Sequence, residues 1–413
     1  MNILFVHQNF PAQYKHLAPA LASAPGNRVM ALHVNPVVPM EGVESVKISP
    51  VKGPTGRVHR WVSDFESKVI RGEAAYLAAR QMKASGFTPD VILAHSGWGE
   101  SLFLQDVWPA APIGLYCEFY YSAVGADVNF DPEFGVEQDA ASRLRVKNSM
   151  LDMQLPQMTS GISPTLWQRS TFPDRFRRSI SVIHDGIDTD LIAPNREVGL
   201  NLRKDGQRLS LKPHDEVITF IVRNLEPYRG YHSFMRALPE ILRRRPKAQI
   251  LIIGGDDVSY GPRPNTAPGQ PPSSWKNIYL DEVRDQIDMG RVHFFGRVPY
   301  AHYLAILQLS TVHVYLTYPF VLSWSLLEAM SAGCAIVASD TAPVREAIQH
   351  GETGRLVDFF APGAVAEEVI ALCESAPERV RLGHAARRHA VEHFDLRKVC
   401  LPSQLVWLRG LAN

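Results

Sequence analysis

Short, unbroken apolar runs alternate along this chain with stretches whose apolar positions recur at helical spacing. Ile3-Leu4-Phe5-Val6 opens the series, and Leu17 and Leu21 follow three to four residues apart on one helical face. The same step repeats with Val29 to Val34, a helical stretch from about Ser63 to Ser85, Asp90 to His95, and Pro112 to Tyr116. A run of four to six apolar residues without alternation fits a strand covered on both faces, and strands of that kind belong to parallel sheets flanked by helices.

Around residues 195–215 the pattern gives way to a polar stretch, read as a linker or exposed excursion. The alternation then restarts with Val217 to Val222, a helix from about Tyr231 to Arg244, and Gln249 to Gly255. Further strands fit Val292 to Phe295, Val312 to Leu316 and Ala335 to Ala338. The whole predicts two α/β domains in tandem, each a Rossmann-like layer. Between two of these strands a proline-dense segment, Tyr260 to Ser273, is predicted to be irregular, as an insertion or a lid. Val391 to Leu411 is helix-prone, with Pro402 interrupting it.

At 413 residues the chain is long enough for two cores, and 46% apolar with 21% charged residues excludes a disordered polymer. Lys plus Arg number 43 and Asp plus Glu 42, so no global field marks the protein for nucleic acid. Any anion must be met locally. Four scattered cysteines form no CxxC pair, which suits a reducing compartment. The N-terminus has no basic leader pattern and no run approaches 18 uncharged apolar residues, so a cytoplasmic chain is expected.

In open α/β sheets ligands sit beyond the carboxyl ends of strands, so residues there come first. Arg223 and Arg229 flank a Pro turn just past one strand, six positions apart; converging, they would hold a diphosphate, although both are also compatible with ordinary surface arginines. After another strand, Tyr318 to Gly333 passes through a turn into a helix starting near Ser323. The amides at its start suit a phosphate, and Glu328 lies one to two turns in, facing either ligand hydroxyls or a local partner. In the first half, His95 ends a strand ahead of Ser96-Gly97-Trp98-Gly99-Glu100, and His7 to Asn9 and Glu118 also follow strands.

Taken together these segments resemble the retaining glycosyltransferases of family 4, also called group 1. The family's Gly-Arg-Leu-x-x-x-Lys-Gly corresponds to Val222 through Gly230, with Arg229 where its lysine stands, and its Leu-Leu-Glu-Ala-Met-Ala to Leu326 through Ser331. Phe295-Gly296-Arg297-Val298, Ser339 to Glu346, Gly351 to Val357 and Val182 to Asp188 are also similar to family stretches. The resemblance implies the GT-B fold: α/β, with two Rossmann-like parallel-sheet domains facing across a cleft. Residues 1–200, joined by a C-terminal helix at 396–413, would bind the acceptor, and residues 201–395 a nucleotide-sugar donor. It further implies that Arg223 and Arg229 hold the donor diphosphate, Glu328 the ribose, and the Gly296, Arg297 and Val298 backbone the base. Val321, Leu322, Ser323 and Trp324 would add amides to the donor, and His95 would face the transferred sugar. Asn9, Phe10, Tyr14, Trp98 and Glu118 are the expected acceptor contacts. No metal and no cofactor are expected, and the acceptor is a hydroxyl of a glycan, lipid-linked saccharide or small molecule. One departure stands out: Phe320 occupies the position of the family's first glutamate in Glu-x7-Glu, eight before Glu328.

Three further patterns read as structural. Asp188-Thr189-Asp190 is a DxD placed to cap a short helix, and His389 to His393 fits H-x-x-E-H on a solvated helix. Arg169, Arg175, Arg177 and Arg178, interleaved with Trp167 and Phe172, form a solvated surface or a peripheral contact with the inner face of the membrane. Two other functions share the architecture: a nucleotide-sugar 2-epimerase, and a non-catalytic nucleotide-sugar or glycan binder. A phosphorylase-type reading would need a lysine for pyridoxal phosphate, and lysines are sparse in the second half.

Overall fold

The computed structural model describes the chain apart from residues 51–52, 196, 205–206, 266–272 and 413. Much of the proline-dense segment therefore lies outside the described residues. The chain divides into two compact units, Met1–Gly186 with Leu396–Asn413, and Ile187–Asp395.

In the first unit seven parallel strands, β1 (Asn2–Val6), β2 (Arg28–His33), β3 (Val43–Lys47), β4 (Val91–His95), β5 (Ile113–Tyr116), β6 (Ser160–Ser163) and β7 (Ile180–Val182), pair in the order β3-β2-β1-β4-β5-β6-β7. Val6 lies level with Leu32 on one side and Ala94 on the other, and His95 with Tyr116. Ile3, Leu4, Phe5, Ile92 and Leu93 are all at 0% exposure, so the apolar runs are covered on both faces, as parallel pairing requires. The long helix Ser63–Ala84 covers one face, while the other receives Leu17 and Leu21 together with Leu408 and Leu411 from the chain's end.

The second unit repeats the plan with β10 (Val217–Asn224), β11 (Gln249–Gly255), β12 (Val292–Gly296), β13 (Val312–Tyr315), β14 (Ile336–Ser339) and β15 (Arg355–Val357), ordered β12-β11-β10-β13-β14-β15. Phe220 sits level with Ile252 and Val314 at the sheet's centre. In both sheets the strand order reverses beside the first core strand, between β1 and β4 and between β10 and β13. Connections leave such a neighbouring pair in opposite directions, which opens a crevice at the carboxyl ends.

Three expectations need correction. The polar stretch at 195–215 is no mere linker: β8 (Leu200–Lys204) and β9 (Gln207–Leu211) pair antiparallel there. Leu200, Leu202 and Leu211 are buried in the second unit's core, each contributing about 2 kcal/mol. The units part at 186/187, ahead of position 200, because Ile187 and Ile192 belong to that same core. Pro402 does not break the terminal helix. The break falls at Asp395 (φ −57°, ψ 125°), after the helix Ala376–Phe394; beyond it a π-helical turn, Leu396–Cys400, runs directly into the helix Leu401–Ala412, and the helical run continues past Pro402. Strands β3, β6, β7 and β15 carry too few apolar residues to stand out: Ser160-Gly161-Ile162-Ser163 is a buried strand written mostly in small residues.

Two fully enclosed histidines tie stability to pH. His184 and His313 are each lowered to about 3, mainly by burial. An unfolded chain binds their protons near pH 6.5, so the stability they lend as neutral rings is complete above that value and is lost as the pH falls below it. Melting followed by circular dichroism should show a midpoint that declines steadily from about pH 7 to about pH 5, by up to ~1.4 kcal/mol per pH unit for each ring. His313→Gln should flatten the decline; an unchanged pH slope in that variant would contradict the assignment.

Candidate functional site

At the reversal in the second unit, the chain leaves β10 through Glu226-Pro227-Tyr228-Arg229-Gly230 and enters the helix Tyr231–Arg244. Gly230 holds the left-handed conformation there (φ +68°), and a Cβ on it would lie 2.2 Å from the Leu316 Cβ, so only glycine fits. This turn swings Arg229 inward. Its Nη1 donates to Thr317 Oγ1 (2.9 Å) and to the Val321 carbonyl (3.3 Å), both just past β13, and its guanidinium lies 5.1 Å from the centre of the Tyr260 ring. Arg229 is only 6% exposed, and no carboxylate lies within 4.0 Å of it among the described residues.

Burial alone would lower its pKa, but the Tyr315 and Tyr260 hydroxyls and the Glu226 carboxylate outweigh that and raise it. Glu226 is itself buried. Its Oε2 accepts the Ser259 and Tyr260 N–H groups (2.8 and 3.0 Å), while Oε1 has no partner, and burial raises its pKa. A buried guanidinium facing a carboxylate biased toward its neutral form is a positive centre short of a counter-charge.

Arg223 behaves differently from Arg229. It is exposed, and it shares with Arg229 an electrostatic reach to Glu226. The pair is thus one fixed cation and one on the surface rather than two fixed guanidiniums. Arg297 points back toward the same strand end, its Nη2 donating to Asn224 Oδ1 (3.3 Å), beside Gly255. Gly296 ends β12 with φ +65° and open space where a side chain would stand.

Phe320, in the place of the family's glutamate, is buried in an aromatic group, with the Tyr260 ring at 5.0 Å and the Tyr228 ring at 6.1 Å. Val321 and Leu322 are 8% exposed, so this loop presents backbone, not side chains. The helix Trp324–Ser331 starts where expected with Ser323 as its N-cap. One of the amides assigned to the donor is, however, already engaged: Ser323 N–H donates to Tyr315 Oη (3.1 Å), and the next amide but one, Ser325 N–H, donates to Ser323 Oγ (3.3 Å). Glu328 is also engaged, accepting from Tyr300 (3.1 Å) and Tyr303 (2.5 Å). Tyr260, Tyr300, Tyr303 and Tyr315 were not legible as site residues because their relation to Arg229 and Glu328 is purely spatial. Thr317 alone carried a signal, its place just after a strand.

The first unit has its own cluster at the β1/β4 reversal. His7, just past β1, and His95, ending β4, stand edge to face with ring centres 5.0 Å apart, and Trp98 stacks on His95 at 5.6 Å. Glu118 Oε2 is 3.7 Å from His95 Nε2, and Gln13 Nε2 donates to Glu118 Oε1 (3.3 Å). His95, Trp98 and Glu118 therefore come together. Phe10 and Tyr14 are 3% and 4% exposed and pack on Phe5, ring centres 5.9 and 4.9 Å away, with the Tyr14 ring 6.2 Å from that of His7. Asn9 is turned to Asn35, whose Nδ2 donates to its Oδ1 (2.5 Å).

The remaining patterns are structural in their contacts. Asp188 Oδ1 caps a turn through Leu191 N–H (3.1 Å), where a short helix was expected. His389 and His393 stack on each other at 4.3 Å on the helix Ala376–Phe394. In the basic stretch, Arg175 pairs with Asp152 and Arg177 with Asp174, Arg169 holds the Arg177 carbonyl, and Phe172 is core. No helix among the described residues is long and apolar enough to cross a membrane.

Two parallel α/β units, each with a reversal of strand order beside its first core strand, define a two-domain, doubly wound architecture. The family models described as Glycosyl transferase family 4 group and Glycosyl transferases group 1 match residues 25–192 and 204–389, and the chain belongs to these GT-B glycosyltransferases. Among its relatives are the D-inositol 3-phosphate glycosyltransferase of Corynebacterium efficiens, 26% identical over 53% of this chain and 47% of the relative, and the phosphatidyl-myo-inositol mannosyltransferase of Mycolicibacterium smegmatis, 29% identical over 43% and 41%. The chain spans about half the length of the curated relatives it matches. The fold is that of sucrose-phosphate synthase from Thermosynechococcus elongatus (TM-score 0.70, 16% identity, 100% of this chain and 99% of that one). It is also that of Anabaena HepE in complex with UDP-glucose (TM-score 0.65, 15% identity, 99% and 100%).

Gly230→Ala tests the turn that aims Arg229. The clash with Leu316 and the left-handed backbone should cost at least about 2 kcal/mol in a denaturant titration. A loss below about 0.5 kcal/mol would mean that the turn relaxes without strain.

Proposed function

We propose that this protein transfers a sugar residue from a nucleoside diphosphate sugar to a hydroxyl acceptor, with retention at the anomeric carbon and without a metal ion. The observation that carries the reading is Arg229, a buried guanidinium at the strand reversal with no carboxylate in ion-pairing reach among the described residues. A diphosphate supplies the missing counter-charge. In the transition state, charge grows on the departing phosphate oxygens, and a preorganised donor in a site shielded from water stabilises it without reorganising. Arg223 joins from the surface as a second cation once the diphosphate is present. Uridine is the preferred base, a reading supported by the UDP bound in structural neighbours of the same fold.

Glu328 receives the ribose. A ribose hydroxyl replaces the longer Tyr300 contact while Tyr303 keeps the carboxylate in place, which lets the site stay satisfied with or without ligand. The Gly296–Val298 backbone flanks the base. With Phe320 in place of a carboxylate, sugar hydroxyls meet main-chain groups near Val321 instead. His95 is assigned to the sugar in transit. The acceptor oxygen attacks the anomeric carbon as the bond to the diphosphate breaks, and the departing phosphate oxygen takes the acceptor's proton on the same face. All four cysteines are buried and outside any disulfide, in keeping with a reducing, cytoplasmic setting; the basic stretch around Arg175 and Arg178 is the part suited to peripheral membrane contact.

A thermal-shift series with UDP, GDP, ADP and their sugars tests the donor, since ligand stabilisation follows RT ln(1 + [L]/Kd). UDP compounds should raise the midpoint most, and Arg229→Met should abolish the shift; no response to any nucleoside diphosphate would sink the reading. Arg229→Ala should cut turnover by the equivalent of about 2–4 kcal/mol of transition-state stabilisation. Diphosphate release in the presence of excess EDTA should match the untreated rate; loss of activity that magnesium restores would refute metal independence.

A further inference from the structure

Glu226 is a buried carboxyl to which the transfer chemistry assigns no role. It opens the same short turn that carries Arg229, yet its oxygens are turned to a different part of the chain. Oε2 accepts the Ser259 and Tyr260 N–H groups (2.8 and 3.0 Å), both in the segment that leaves β11, while Oε1 has no hydrogen-bond partner. One side chain of the first loop thus grips the main chain of the second. Asn224, the last residue of β10, adds to the grip, its Nδ2 donating to Ser259 Oγ (2.7 Å). What the grip fixes is Tyr260: its ring centre lies 5.1 Å from the Arg229 guanidinium and 5.0 Å from the Phe320 ring.

We propose that Glu226 is a positioning residue for donor binding: by holding the Ser259 and Tyr260 main chain it seats the Tyr260 ring against Arg229 and fixes that guanidinium without neutralising it. The inference rests on the donor reading only in naming a diphosphate as what the fixed guanidinium meets. A long side chain needs restraint before it can act as a preorganised donor. Thr317 and the Val321 carbonyl both take Nη1, so the flat face of the group is left to its neighbours. A carboxylate there would restrain the cation and cancel it; an aromatic face restrains it by cation–π attraction and leaves the charge for a ligand. Because Glu226 and Arg229 share one turn, the ring that Glu226 seats and the cation it covers are referred to the same piece of backbone. Burial also biases this carboxyl toward its neutral form against the pull of Arg229 and Arg223, in keeping with a role as acceptor of main-chain N–H groups and not as a counter-charge. An amide oxygen at the same place can accept both N–H groups, so glutamine should serve where an apolar side chain cannot.

Amide hydrogen exchange and calorimetric titration of the full-length protein with UDP and UDP-glucose test this together. Without ligand, the Ser259 and Tyr260 N–H groups should exchange about tenfold more slowly in the native protein and in Glu226→Gln than in Glu226→Met, which keeps the length and lacks the oxygens. Glu226→Met should weaken the tighter-binding nucleotide about tenfold, the size of a lost cation–π contact, and Glu226→Gln should stay within about threefold of native. In a Tyr260→Leu background the same Glu226→Met change should weaken binding by less than about twofold more, since a residue that acts through Tyr260 has nothing left to act on. Equal weakening by Gln and Met, or fully additive Met and Leu effects, overturns the positioning role. Unprotected Ser259 and Tyr260 amides in the native protein overturn it as well, and that measurement requires no variant to fold. Protection that follows the expected order in a protein that binds neither nucleotide would uphold the clamp on Tyr260 while defeating the donor reading.

Discussion

A buried positive charge with no carboxylate within 4.0 Å among the described residues stands at the centre of the second unit. Arg229 is placed by a Pro-start, Gly-end turn and held by Thr317 and the Val321 carbonyl. The tyrosines around it supply dipoles rather than charge. Such a centre is costly in isolation, and it stands at a strand reversal, the place where open α/β sheets receive ligands. Gly230, Tyr260, Phe320 and the loop beyond β13 all take their positions from the need to surround that guanidinium.

The first unit solves a parallel problem with neutral groups. At the equivalent reversal it presents two imidazoles and an indole whose Nδ1 atoms or ring faces are engaged internally and whose N–H groups are not. The two crevices thus differ in kind: a cation suited to phosphate in one unit, uncharged donors beside a carboxylate in the other.

Replacing a family carboxylate with Phe320 fits the same scheme. The ring packs between Tyr228 and Tyr260 and seals the side of the site nearest Arg229. An additional carboxylate at that point would partly neutralise the guanidinium; the aromatic ring leaves its charge for the ligand.

What the sequence determined by itself follows from local rules. Apolar runs named the central strands, because burial on both faces removes alternation, and helix spacing gave Ser63–Ala84 and Tyr231–Arg244 almost to the residue. The turn at Arg229, the helix start at Ser323 and the strand-end His95 were legible because glycine, proline and capping residues act on their neighbours in the chain. The hairpin at 200–211 was hidden, since its leucines find their core only after folding. Only the tertiary structure could decide that Arg229 is buried while Arg223 is exposed, that Glu328 meets Tyr300 and Tyr303, that Phe10 and Tyr14 are core, and that His7 joins His95. Each of these depends on which strands become neighbours, and no spacing along a chain encodes the distance between residues that the sheet order brings together.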